Sequence, residues 1–256
     1  MFRIMWNGTS GMYAEQEKLD AIANNLANSS TVGYKSQSVS FSDLVYETLN
    51  GREYPVSNGN DPINGTGVKA NDWMRDNTQG TPSETDKKTD FAIFGDGYFR
   101  VTRPDGSKAY ERNGQFSVDG NGRIVDSSGN ILDIQYKVNP NSVQFSDSNI
   151  VLAENGEIGI RINENQIEDV GKVNLYNVVG DDSMTSIGDN LFSPKNGAQV
   201  SVVGNPQIKQ GFVEESNVDM VTELTGMIVA QRAYEFSSKS LKTADEMWQL
   251  VNSLSK

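Results

Sequence analysis

The stretch MVTELTGMIVAQRAYEFSSKSLKTADEMW, Met220 to Trp248, repeats every seven residues. Met220, Met227, Tyr234, Leu241 and Trp248 stand seven apart, and Ala230, Ser237, Ala244 and Val251 follow three places behind members of that series. A sustained seven-residue repeat gives a helix one narrow apolar seam, the geometry of a coiled coil. Small residues beside large ones let a partner helix come close. Leu224 lies next to the first seam position, and Asp219 stands where an N-cap is wanted. The other end of the chain has the same pattern: Met5, Met12, Leu19 and Leu26 are seven apart, with Ile22 between the last two. Both segments keep a wide polar remainder, Glu15, Glu17, Lys18 and Asp20 at one end and Glu235, Lys239, Lys242 and Asp245 at the other. Each helix is expected to run about 20 to 30 residues, or roughly 30 to 45 Å. Neither can bury its seam alone, so the N-terminal helix is expected to pack against the C-terminal one.

The middle has a different period. FAIFGDGYFRV, KAYERNGQFSV, GRIVDSSGNILDIQYKV, IVLAENGEIGIRI and GKVNLYNVV read as short strands. PDG, DGNG, SSGN and ENGE between them read as hairpin turns. This is an antiparallel β domain, expected from about residue 90 to 210. The preceding segment, NGREYPVSNGNDPINGTG, is rich in Gly, Asn, Pro, Ser and Thr and reads as an extended arm. The expected organisation is α+β: an N-terminal helix (1–40), an extended arm and linker (41–89), the β domain (90–210) and a C-terminal helix (211–256).

Composition narrows the function. The 256 residues carry 34 acidic against 22 Lys and Arg side chains, a net charge of −12, which argues against nucleic acid or an anionic membrane as partner. Cysteine and histidine are both absent. That removes thiolate sites, the commonest metal ligand and the commonest general base, so no cofactor, metal or catalytic residue is expected. No run approaches the roughly 20 apolar residues of a membrane span, and the opening residues lack the apolar core of a secretory signal peptide. Candidate chemical motifs fail on inspection. DGNGRI, Asp119 to Ile124, starts like a calcium loop, but Arg123 and Ile124 stand where a ligand and a glycine are required. GDGYFR has Arg100 in place of the third glycine of a dinucleotide loop.

Several stretches resemble the flagellar axial proteins, the rod, hook and hook-associated subunits. NNLANSSTVGYK (24–35) resembles their N-terminal signature, and ESNVDMVTELTGMIVAQRAYEFSSKSLKTADEMWQLVNSL (215–254) resembles their C-terminal one. FSDLVYETL, NGTGVK, DFAIFGDGYFRV, YERNGQFSVDGNGRIVD, SIGDNLFSP and QGFVEESNVD resemble the rod proteins, and among these the distal-rod branch. The likeness covers nearly the whole chain. One departure is Glu111 in YERNG, where the family pattern has Thr; little effect is expected from it.

The resemblance implies a non-enzymatic subunit that passes unfolded through the flagellar type III export apparatus and polymerises into a hollow helical shaft. Its implied partners are further copies of itself, the proximal rod proteins, the hook protein and envelope rings around the shaft. In such a stack the asparagines of AIANNLANSSTVGYK gain a use. Asn24 and Asn25 are read as lying off the seam and hydrogen-bonding to the next copy. Asn28, Ser29 and Ser30 end the helix, and Gly33 permits a left-handed turn. The expected assembly interface is therefore Met5, Met12, Leu19, Ile22, Asn24, Asn25, Leu26 and Asn28 with Met220, Leu224, Met227, Tyr234, Leu241 and Trp248. The alternatives are a proximal rod or hook-type subunit of the same family, a secreted cell-wall-active enzyme with a β domain, and a β-rich adhesin with trimerising helices. The enzyme would need a carboxylate pair in a cleft.

Overall fold

A computed structural model describes residues 2–48, 63–140, 143–163, 166–178, 180, 183–195 and 197–254. The architecture is α+β: helix α1 (Phe2–Ala27), a long run of short antiparallel strands, and helix α2 (Met220–Leu254). Two compact units share the chain. One comprises 1–27, 37–74 and 219–256, the other 28–36 and 75–218. The divisions thus fall elsewhere than at residues 40, 89 and 210. The residues just after α1 belong with the β-rich unit, and much of the expected arm belongs with the helices. The centre of that arm, 49–62, lies outside the described residues.

In the helical unit, α1 stops at Ala27 because Asn28, Ser29 and Ser30 favour turns over helix. Asp219 caps α2 as its position suggests: its carboxylate accepts from the Val221 N–H (3.0 Å) and the Thr222 hydroxyl (2.7 Å). Strands Gln37–Asp43 and Val68–Arg75 pair in a two-stranded sheet. The chain near them meets α1 closely. The Trp73 indole donates to Glu17 (3.1 Å), and Gly67, at φ +118°, comes so near α1 that a Cβ would sit 2.5 Å from the Ser10 hydroxyl.

The β-rich unit is antiparallel throughout its recorded pairings. Its larger sheet runs Met184–Gly188, Leu191–Pro194, Lys108–Glu111, Tyr98–Thr102, Ile131–Leu132, Ile124–Val125 and Ser117–Val118, with Leu175–Val178 joined to Tyr98–Thr102 and to Val200–Val202. A four-stranded sheet holds Ile134–Tyr136, Gln166–Val173, Glu157–Asn163 and Ile150–Leu152. Their alternating apolar residues meet in one core of Phe91, Phe99, Val101, Ile124, Leu132, Ile158, Leu175 and neighbours. Phe99 and Phe116 meet edge to face at 5.5 Å within it. DGNGRI is a hairpin turn: Asp119 accepts from the N–H groups of Asn121 and Arg123 (2.8 and 2.9 Å), and Asp126 repeats the device on Ser128 and Asn130.

Glu111 corrects the expectation that its departure from the family pattern matters little. It is 1 % exposed on strand Lys108–Glu111, and its Oε1 has no hydrogen-bond partner. Burial, and then the nearby Asp126 carboxylate, push its pKa up to about 9. The folded protein therefore keeps a proton that the unfolded chain releases above about 4.5. That contribution to stability is complete below the unfolded value and is lost as pH rises toward the folded one, at up to about 1.4 kcal/mol per pH unit. Glu111→Gln removes the titration. Thermal unfolding at about pH 5 and pH 8 is expected to show a smaller loss of Tm for the variant than for the natural protein, and equal losses would refute the assignment.

Candidate assembly interface

α1 and α2 pack against each other in antiparallel register within the helical unit. Gly8 and Gly11 face Ser237, Ile22 faces Gly226, and Asn25 faces Glu223. By that register Met5, Met12, Leu19 and Leu26 lie within about two residues of the levels of Leu241, Tyr234, Met227 and Met220.

The residues that close the seam most tightly are nevertheless small ones. Gly8, Ala14, Ala21, Ala230 and Ala244 are buried, while Met5, Met12, Leu19, Leu26, Met227, Tyr234 and Leu241 are half-buried along its margins. A Cβ on Gly8 would lie 3.4 Å from the Ser237 carbonyl oxygen, and one on Gly11 would lie 3.1 Å from its hydroxyl. Spacing could have revealed the α1 contribution, since Ala14 and Ala21 stand seven apart and Gly8 precedes Ala14 by six. A search for large apolar residues passes over them. Ile22 is buried, whereas Met220, Leu224 and Trp248 are exposed.

Asn25 does not lie off the seam. It is 2 % exposed, and both ends of its amide are used inside the chain. Its Nδ2 donates to Glu223 Oε1 (2.7 Å) and the Gln37 carbonyl (2.8 Å), and its Oδ1 accepts from the Gln37 N–H (2.8 Å). One side chain therefore joins the end of α1, the first turn of α2 and the start of strand Gln37–Asp43. Asn24 is exposed and Asn28 half-buried.

The β-rich unit holds a second polar centre that no sequence motif marks. Glu214, 1 % exposed, accepts from Lys35 Nζ at 2.6 Å on one oxygen and from Arg112 Nε at 2.6 Å on the other. The Gly80 N–H adds 2.8 Å to the first oxygen. The remaining donors are satisfied too: Lys35 reaches the Thr78 carbonyl (2.7 Å), and Arg112 reaches the carbonyls of Gly95 (2.6 Å) and Gly97. Burial alone would raise the Glu214 carboxyl, but the Arg112 charge and the hydrogen bonds from Lys35 and Arg112 hold its pKa below the ordinary value. Burial likewise pushes the Lys35 pKa down, against the pull of Glu214. Beside this cluster Gly33 takes φ +69°, as a left-handed turn requires; a Cβ there would strike the Asn113 backbone nitrogen at 2.7 Å. Asn217 adds a half-buried clamp, accepting from the Ser36 N–H (2.7 Å) and donating to the carbonyls of Asp76 and Thr78.

Three family descriptions match the chain: "Flagella basal body rod protein" over residues 5–35, "Flagellar hook protein FlgE/F/G D1 domain" over 92–174, and "Flagellar basal body rod FlgEFG protein C-terminal" over 209–254. Among similar proteins, the flagellar basal-body rod protein FlgG of Borreliella burgdorferi is 35 % identical over 99 % of both chains. FlgG of Caulobacter vibrioides is 37 % identical over 96 % of both. The rod protein FlgF of Mesorhizobium japonicum is 30 % identical over 96 % of this chain and 95 % of its own.

Glu214→Gln leaves two buried cations facing a neutral amide. The β-rich unit is expected to lose about 3–5 kcal/mol, read from urea unfolding by near-ultraviolet circular dichroism of its tyrosines. The natural carboxylate's contribution is present at neutral pH and lost in acid as its depressed pKa is crossed. A variant within about 1 kcal/mol of the natural protein would show the cluster to be dispensable.

Proposed function

The chain belongs to the flagellar basal-body rod protein family, and from that membership we propose that it is the distal subunit of the rod, polymerising into a hollow helical shaft that carries torque from motor to hook. It is a structural protein of the basal body and not an enzyme. FlgG relatives at 35 % and 37 % identity, against FlgF at 30 %, support the distal over the proximal position. Proximal rod proteins and the hook protein are the neighbours at its two ends, and the flagellar type III export apparatus delivers it. No helix among the described residues is long and apolar enough to cross a membrane.

The mechanism is repeated weak contact. Met5, Met12, Leu19, Ile22, Leu26, Met227, Tyr234 and Leu241 close α1 on α2 as a two-helix coiled coil, with Asn25 pinning its end. Met220, Leu224 and Trp248, with Asn24 and Asn28, are assigned to the contact with neighbouring copies. The observation that carries this reading is the apolar surface outside the pair: Val221, Leu224, Ile228 and Phe236 are exposed on α2 although its seam is closed. Contiguous exposed apolar residues mark an interaction surface. A heterologous contact that does not close on itself extends into a helical filament.

Leu19→Asp and Met227→Asp each place a charge at the margin of the closed pair, where desolvation costs several kcal/mol. Each strain is expected to export the subunit, to build no hook and to be non-motile, while the β-rich unit of the purified variant stays folded. Motility counts on soft agar and circular dichroism decide it; normal swimming in either strain would rule out the paired-helix mechanism.

A further inference from the structure

The chain carries a net charge of −12, and many cations of its β-rich unit answer a nearby acid. Lys35 and Arg112 pair with Glu214, Arg100 and Lys108 with Asp133, Arg123 with Asp119, and Lys137 with Asp169. Lys87, Lys88 and Arg161 form no ion pair with any described residue, and all three line one hollow of about 210 Å³ within that unit. The hollow is small against the reach of lysine and arginine side chains, so three charged heads can converge on one ligand. All three residues are exposed.

The hollow is built on fixed backbone. The Gln210 amide donates to the carbonyls of Lys88 (2.6 Å) and Ile150 (3.0 Å) and accepts from the Leu152 N–H (3.2 Å). One side chain thus ties the loop carrying Lys87 and Lys88 to strand Ile150–Leu152. The Thr85 N–H donates to the Gly211 carbonyl (2.7 Å), and the Gly211 N–H to the Asp90 carbonyl (2.8 Å), which pins both ends of that loop. The Arg161 N–H donates to the Asn149 carbonyl (2.8 Å), beside the buried Ile150. The Lys88 ammonium donates to the Ser148 carbonyl (3.2 Å) and keeps further N–H groups for a ligand.

Asp86 also lines the hollow, so three positive charges stand against one negative and two remain. A single carboxylate cancels one of them. A phosphate group carries about −1.5 to −2 at neutral pH and offers three acceptor oxygens, which suits a planar guanidinium fork and two ammonium heads. The space equals that of roughly seven waters at about 30 Å³ each, enough for one such group with part of its hydration. None of the described residues lining it is aromatic, so nothing there stacks a nucleobase. We propose that this hollow binds a phosphate group, free or carried as a monoester, held by Arg161, Lys87 and Lys88. The inference goes beyond the rod reading and stands without it.

The test titrates the purified full-length protein, at low salt, with inorganic phosphate, glycerol 3-phosphate and triglutamate in separate arms. Amide shifts of Lys88, Arg161 and Gly211 in two-dimensional NMR spectra report occupancy. Both phosphate probes are expected to move these amides saturably, and Arg161→Gln or Lys88→Gln to weaken that binding about tenfold each. Lys242→Gln, an exposed charge on α2, is expected to leave it unchanged. Tighter binding of glycerol 3-phosphate assigns the site to a phosphate carried on an organic molecule, and tighter binding of inorganic phosphate assigns it to the free ion. No shift with either phosphate probe overturns the proposal. So does an equal loss in Lys242→Gln, which would make the attraction diffuse, and so does triglutamate binding more tightly than both phosphates, which would make this a docking site for an acidic protein segment.

Discussion

A carboxylate removed from water must be matched in charge and saturated in hydrogen bonds, and Glu214 meets that demand with groups from distant parts of the sequence. Lys35 comes from the segment after α1, Gly80 from the start of the β-rich region, and Arg112 from the loop after strand Lys108–Glu111. In sequence, the chain leaves the β-rich unit shortly after Lys35 and again after Glu214, and it re-enters the unit shortly before Gly80. The segment 28–36 has too few apolar residues to hold itself in place. It is fixed by Lys35, by the Gly33 N–H on the Glu214 carbonyl (2.7 Å) and by Ser36 on Asn217. Specific polar contacts thus do here what a hydrophobic core does elsewhere in the same unit.

The helical unit solves the opposite problem. Its pairing is apolar and long, but its centre is lined by glycine and alanine, so the two backbones approach closely and little volume is enclosed. Packing of this kind tolerates no enlargement in the middle of the seam and leaves the large side chains at its margins. Those margins connect directly with the outer surface. The same helices can therefore satisfy each other and still present apolar residues to another copy.

The helices and the hairpin-rich middle were legible in the sequence because both rest on local periodicity. A repeat of seven and an alternation of two survive without knowledge of tertiary contacts, and Asp119 and Gly33 announce their turns by residue type. Asn25 was misread because periodicity classifies a polar residue as outward, whereas its amide matches three polar groups that only folding brings together. Lys35 and Glu214 lie 179 positions apart, and nothing in their flanks marks them as partners. Glu111 illustrates the same limit from the other side: its neighbours identify a strand, but not that its side chain points into the core.

The division of the chain into interleaved units also sets an order in time. α1 and Lys35 are among the first residues made, yet the partners they need, α2 and Glu214, come from the far end of the chain. Until synthesis has passed Glu214, Lys35 and Arg112 face the burial of unmatched charge, and until α2 exists α1 has no seam to close on. Contacts of such long sequence separation form late and slowly. The fold therefore carries its own delay, and a chain that is still arriving stays open along its length.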